Sequence, residues 1–158
     1  HRSVQKIPIP LEKIFKHVIG NLKGRIDECG GKVEIPEKMP VVMAGKTLLI
    51  QILTNLIENA VTYREPDIPL KITVKCEENN GWVIIGIADN GIGIAPEFQK
   101  KIFNVFQRLH SESEYPGTGI GLAIVKKSIE IMGGEVWVES SLGKGSAFYI
   151  KLRSAKKY

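Results

Sequence analysis

Cysteine is scarce in this 158-residue chain, and its scarcity excludes two classes of protein. Cys29 and Cys76 lie far apart and form no CxxC pair, which argues against both a disulfide scaffold and a cysteine metal cluster. The three histidines, His1, His17 and His110, share no metal-ligand spacing. Long hydrophobic runs are missing too: no stretch approaches the ~20 apolar residues needed to cross a bilayer. No secretory leader is read at the start, which sets the expectation of a soluble chain. Neither an internal repeat nor a low-complexity segment is present.

What remains has the balance of a globular protein, 43% hydrophobic and 25% charged, and the length suits one domain, 1–158, with a proper core. A formal net charge of +5 raises nucleic acid or an anionic membrane as partners. The basic residues are nevertheless mixed with acids along the chain. Only Lys151, Arg153, Lys156 and Lys157 cluster, and a solvated, mildly basic surface is the better reading. Nucleic acid and membrane are therefore not expected as partners.

Residues 11–29 read as an amphipathic helix, with Leu11, Ile14, Phe15, Val18, Leu22 and Ile26 on one face, Pro10 in its first turn and Gly30-Gly31 as its stop. Short strands follow at 32–35 and 41–43, then a second helix over 46–63 that Pro66 and Pro69 prevent from extending. The segments 70–76 and 82–88 read as strands joined around Asn79-Asn80-Gly81, a hairpin signal. One or two short helical pieces fit 96–106, and the stretch 107–116 lacks an apolar period and reads as a mobile loop. A third helix spans about 119–132 and stops at Gly133-Gly134. Strands at 135–139 and 146–152 flank a turn at Gly143-Lys144-Gly145. Without strict β-α-β alternation, the pattern predicts an α+β two-layer sandwich with helices on one sheet face.

Three segments carry chemistry. On the second helix, Gln51, Asn55, Asn59 and Thr62 form a polar stripe beside the apolar face. Asparagine is a poor helix former, so two of them one turn apart need a reason. Neutral oxygen ligands suit a partly hydrated Mg²⁺, and solvated or core-capping amides explain the pair equally well. Asp89 ends the apolar run 83–88, which reads as a buried strand, and a carboxylate there can accept from the exocyclic amine of adenine. Gly91 and Gly93 would let the backbone approach a ligand, while Asp-Asn-Gly is also ordinary turn chemistry. Finally, Gly117-Thr118-Gly119-Ile120-Gly121-Leu122 opens a helix whose first N–H groups suit phosphate oxygens. A decoy, Gly45-Lys46-Thr47, imitates the end of a Walker A loop, but the first glycine of that motif falls on Pro40.

Together, 55–63, 89–94, 102–109 and 117–122 resemble, in order, the N, G1, F and G2 boxes of sensor histidine kinases. These kinases belong to the GHKL ATPases together with gyrase, Hsp90 and the MutL proteins. The wording Phe106-Gln107-Arg108-Leu109-His110 and Tyr115-Pro116-Gly117-Thr118-Gly119 resembles phytochrome-type and PAS-linked kinases most. The resemblance implies a Bergerat-type fold, a mixed, mainly antiparallel sheet with three helices on one face. It implies Mg²⁺ on Asn59, the adenine amine on Asp89, and the base bordered by Gly91, Gly93 and Ile94. Tyr63 would pack near adenine or ribose, and 98–116 would be the ATP lid. Arg108, Gly117, Thr118, Gly119, Gly121 and Leu122 would lie toward the phosphates.

Hydrolytic relatives carry a glutamate one turn before the metal-binding asparagine. Here that position is Asn55, which cannot take a proton, so the resemblance implies phosphoryl transfer to a protein side chain rather than hydrolysis. No histidine stands in the phosphoacceptor context. The implied partners are therefore a phosphoacceptor and dimerisation domain of the parent kinase and, indirectly, a response regulator, with this domain cytoplasmic, the parent either soluble or membrane-anchored, and the isolated domain monomeric. Thr62 replaces a lysine or arginine common in relatives, which leaves open an ATP-binding sensing or docking module with weak or lost transfer. A GHKL ATPase with DNA or protein clients is the third reading, and Asn55 weighs against it.

Overall fold

The computed structural model describes residues 4–104 and 121–156. Strand β1 (Ile7–Pro10) runs directly into helix α1 (Leu11–Glu28), followed by β2 (Lys32–Glu34), β3 (Val41–Ala44) and α2 (Lys46–Thr62). Then come β4 (Lys71–Asn79), β5 (Trp82–Asp89), two single-turn 3-10 pieces (Pro96–Phe98 and Lys101–Phe103), α3 (Gly121–Ile131), β6 (Glu135–Ser140) and β7 (Ser146–Arg153). The main sheet has the order β2-β4-β5-β7-β6, antiparallel throughout except for the parallel β2–β4 pair. The expected mixed, mainly antiparallel sheet is the observed one.

One face of this sheet builds the core. Ile72, Val74, Val83, Ile85, Ile87, Phe148, Ile150 and Leu152 alternate along β4, β5 and β7 and are buried. They meet Leu11, Phe15 and Val18 of α1, Leu49, Ile52, Leu53, Leu56 and Ile57 of α2, and Val125 and Ile129 of α3 in a single cluster. Each fully buried aliphatic or aromatic side chain contributes roughly 1.5–3 kcal/mol. Strand β5 is thus fully buried along one face, while on the other Trp82, Ile84 and Ala88 are half-buried and Gly86 is covered by the Tyr149 ring.

Local chemistry sets the element ends. Helix α1 closes with Gly31 N–H donating to the Ile26 carbonyl (2.8 Å) and Gly30 N–H to that of Asp27 (3.0 Å), a Schellman stop. The β4–β5 hairpin turns on Asn80 (φ 51°) and Gly81 (φ 84°), with Asn79 opposite Trp82, as a two-residue type I′ turn requires. Strand β4 consequently runs to Asn79, beyond the expected 76.

Strand β1 is absent from the sequence reading, and its prolines explain why. It pairs antiparallel with β3 in a separate two-stranded ribbon. Leu11 N–H continues that ladder to the Pro40 carbonyl (3.3 Å), so odd positions face β3 while Pro8 and Pro10 face the free edge, where no N–H is needed. Pro10 is the N-cap residue of α1 rather than part of its first turn. The expected loop 107–116 and the start of the third helix at 119 lie outside the described residues.

Candidate functional site

The C-terminal half of α2, the end of β5 with its following turn, the β6–β7 turn and the start of α3 converge at one end of the molecule. Asp89 is the last residue of β5 and is half-buried. Its Oδ1 accepts from Gly91 N–H (2.8 Å) and Ser146 N–H (3.3 Å). Among the described residues Oδ2 receives no hydrogen bond. Burial pushes the carboxyl pKa up to about 6 from 3.8, against the lowering effect of those two N–H donors. An acceptor placed this way is held in position on one oxygen, with no partner among the described residues on the other.

The turn after Asp89 is clamped from three sides. Ile92 N–H donates to the carbonyl of Tyr63, the C-cap of α2 (3.0 Å), and Gly143 N–H donates to the Ile92 carbonyl (2.8 Å). Asn90 accepts from Lys71 N–H (2.8 Å) and donates to the Pro69 carbonyl (3.1 Å). A Cβ on Gly91 would stand 2.5 Å from the Tyr63 carbonyl oxygen, and one on Gly93 (φ +78°) 2.0 Å from that of Ser141. These glycines are thus required by neighbouring protein backbone, a different reason from the ligand approach expected of them. Ile94 is buried, and its N–H donates to Ser140 Oγ (2.8 Å).

On α2, Asn55 and Asn59 stand one turn apart and half-buried, and among the described residues neither amide makes a hydrogen bond. Among the described residues that removes the core-capping explanation, and the two amides face either water or a ligand. Gly121, the first described residue of α3, faces Asn55: a Cβ there would lie 3.8 Å from Asn55 Oδ1. Leu122 packs against the core from the same helix turn. Thr62 ends α2, and Tyr63 is half-buried beside it. Arg108, Gly117, Thr118 and Gly119 lie outside the described residues. Of the F box, Ile102 is buried and the Phe103 ring meets Phe148 edge-on at 6.2 Å.

The decoy glycine is closed off. Gly45 is buried, its N–H meets Met132 Sδ (3.3 Å), and a Cβ there would meet Val4 Cγ1 at 2.6 Å, so no phosphate can approach it.

Sequence reasoning missed Gln99, Ser140 and Ser146. Ser140 Oγ donates to the Gly145 carbonyl (2.7 Å) and lies 2.8 Å from Ser146 Oγ, while Gln99 Nε2 donates to the carbonyls of Ile94 (3.0 Å) and Ser140 (2.7 Å). The network ties the base of the 3-10 pieces to the loop that holds Asp89. A signal for it was present. Ser146 occupies the same parity in β7 as Phe148, Ile150 and Leu152, so a polar residue stands in a core-facing slot.

The fold and this constellation define a nucleotide-binding domain of the ATPase type. The chain belongs to the family described as histidine kinase-, DNA gyrase B-, and HSP90-like ATPase, which it matches over residues 44–156. It is 45% identical over 142 residues to cyanobacterial phytochrome A of Nostoc sp., covering 90% of this chain and 18% of that protein. It is 39% identical over 121 residues to the adaptive-response sensory kinase SasA of Prochlorococcus marinus, covering 76% of this chain and 32% of the kinase. Among solved structures, full-length ShkA in complex with AMPPNP matches with a TM-score of 0.83 and 28% identity, covering 99% of this chain and 32% of that one. The nucleotide-free catalytic domain of histidine kinase ThkA matches with a TM-score of 0.81 and 25% identity, over 95% of this chain and 96% of that domain. The chain thus spans less than a third of the sensory proteins it matches, and nearly the whole of an isolated kinase catalytic domain.

Proposed function

We propose that this chain binds Mg·ATP and delivers the γ-phosphoryl group to a histidine on a phosphoacceptor and dimerisation domain of a sensor kinase, from which a response regulator is then served. The observation that carries the reading is that Asp89 Oδ2 and the amides of Asn55 and Asn59 have no hydrogen bond among the described residues, on two elements that the Ile92 N–H to Tyr63 carbonyl bond joins. Asp89 accepts the adenine amine, Gly91, Gly93 and Ile94 border the base, and Tyr63 packs near adenine or ribose. Gly117, Thr118, Gly119, Gly121 and Leu122 meet the phosphates, the last two from the start of α3, and Arg108 adds charge.

The donor set fits a magnesium ion carried in with its nucleotide. Neutral amide oxygens on one helix suit an ion that keeps its waters and phosphate ligands, and no cluster of three acidic, histidine or cysteine side chains stands among the described residues to compete. Asn59 would hold it, and the ion would neutralise phosphate charge. The protein's own part is positioning: the histidine nitrogen attacks the γ-phosphorus, a P–N bond forms, the bond to the bridging oxygen breaks, and ADP leaves. Asn55 cannot accept a proton from water, which disfavours hydrolysis. The alternative reading, a nucleotide-binding module without transfer, draws on Thr62 alone.

Incubation with ATP labelled in its γ-phosphate and a family dimerisation domain tests transfer. Acid-labile, base-stable label on that domain, lost when its histidine is replaced, is the expected result. Release of inorganic phosphate without labelled protein would overturn transfer in favour of hydrolysis.

A further inference from the structure

The basic cluster at the end of the chain, a solvated surface by sequence, is organised in the fold. Trp82 stands directly opposite Arg153 and Ile84 opposite Lys151, so Trp82, Lys151 and Arg153 share the sheet face that the helices leave uncovered. Both cations reach one indole: Lys151 Nζ lies 4.7 Å from the Trp82 ring centroid and Arg153 Cζ 4.0 Å. Among the described residues neither Lys151 nor Arg153 has an ion pair. A guanidinium stacked on indole has its plane fixed while its N–H edge stays available to an acceptor.

Beside it an open cleft of ≈ 520 Å³ is lined by Asn80, Gly81, Arg153, Ser154 and Lys156. Its walls are held by backbone bonds. Ser154 N–H donates to the Gly81 carbonyl (2.9 Å), Ala155 N–H to that of Val41 (2.9 Å), and Lys156 N–H to Ser154 Oγ (3.0 Å), while Ser154 Oγ bonds Glu78. The receptor is therefore formed before anything binds.

We infer that this cleft and the adjoining Trp82 face dock a short acidic peptide segment of a partner protein, one carboxylate meeting the Arg153 guanidinium edge at the cleft and a second meeting Lys151 on the Trp82 face. The surroundings select that class of anion. Glu77, opposite Ile84 on the same face, and Glu135, directly across from Lys151, place acids around the cations and disfavour a continuous polyanion. The other rings on this face, Trp137 and Tyr149, are stacked on each other at 5.5 Å and 17°, so no open row of rings is offered to successive bases. A membrane surface needs a broader basic area than one hairpin end. Asp89 caps the other end of β5, seven residues and roughly 23 Å away, so an occupant here does not compete with nucleotide. The inference is independent of the proposed phosphotransfer.

The probe is a fluorescein-labelled, C-terminally amidated Gly-Glu-Ser-Gly-Glu-Ser peptide, with two separated carboxylates, read by anisotropy, with Trp82 emission followed in a Trp137→Phe background. The expected result is saturable binding that perturbs Trp82 and weakens at least about tenfold in Lys151→Ala/Arg153→Ala. Arg153→Lys, which keeps the charge and loses the planar stack, also weakens it. Lys13→Ala/Lys38→Ala, with the same change in net charge, leaves it intact, and circular dichroism and nucleotide binding report that each variant is folded. Equal affinity in Lys151→Ala/Arg153→Ala, or equal loss in the remote pair, would overturn the site. Tighter use of these same residues by an oligothymidylate or by phosphatidylserine vesicles would overturn the acidic-peptide class.

Discussion

Asp89 carries a conflict between stability and binding. Its folded pKa is raised by burial from 3.8 to about 6, so the fold favours the protonated carboxyl. Below about pH 4 the group is neutral both folded and unfolded, and the fold bears no penalty. Above about pH 6 it is ionised in both states and the penalty is complete, on the order of 3 kcal/mol. Asp89→Asn keeps an oxygen for Gly91 and Ser146 N–H and removes the charge. It should raise the melting temperature at pH 7 and lose the gain below pH 4, while weakening ATP binding. A variant with unchanged nucleotide affinity would refute the base-reading role. In the unaltered chain, affinity for an ATP analogue should fall as pH drops through about 6, because the ionised carboxylate is the better acceptor for the adenine amine. Titration at pH 7.5 and pH 5, with Asp89→Asn expected to be flat between them, checks this. Asn59→Ala should cost the Mg²⁺-dependent part of the affinity and leave the rest; magnesium dependence that survives would refute the metal role.

Two elements hold the site rather than fill it: the turn after β5 and the β6–β7 loop. Gly93→Ala would force a Cβ to 2.0 Å from the Ser141 carbonyl oxygen at φ +78°, a cost of roughly 2–4 kcal/mol readable by chemical denaturation. Ser140→Ala would strip a hydrogen bond from Ile94 N–H and the Gly145 carbonyl, about 1–3 kcal/mol by the same measurement. A loss below a few tenths in either would show that the loop adapts freely. The elements legible in the sequence are those with local signatures. The α1 stripe and its glycine stop, the Asn80-Gly81 hairpin and the Asp89 turn each announce themselves within a few residues. The strand β1 did not, because Pro8 and Pro10 disguise an edge that needs no donors. Gln99, Ser140 and Ser146 escaped because their partners lie up to 57 residues away: pairing of β5 with β7 sets Ser146 opposite Asp89, and pairing of β6 with β7 adds Ser140. Asn55 and Asn59 were legible as a stripe, but that neither has a side-chain partner among the described residues emerged only in the packed helix.

At the scale of the whole molecule, the sheet is used at both ends and on both faces. Its inner face carries the core, one end of β5 carries Asp89, and the other carries the Trp82 cleft. Among the described residues no helix is long and apolar enough to cross a membrane. A nucleotide that binds only the folded chain adds stability in proportion to the logarithm of its concentration, so a saturating ATP analogue should raise the melting temperature and a GTP analogue should not. Calorimetric titration of the chain with a non-hydrolysable ATP analogue, with and without Mg²⁺ and against its guanine counterpart, tests the central claim most directly. Saturable binding that is stronger with Mg²⁺ and specific for adenine is the predicted result. Equal binding of the guanine analogue, or no saturable binding under either condition, would contradict it.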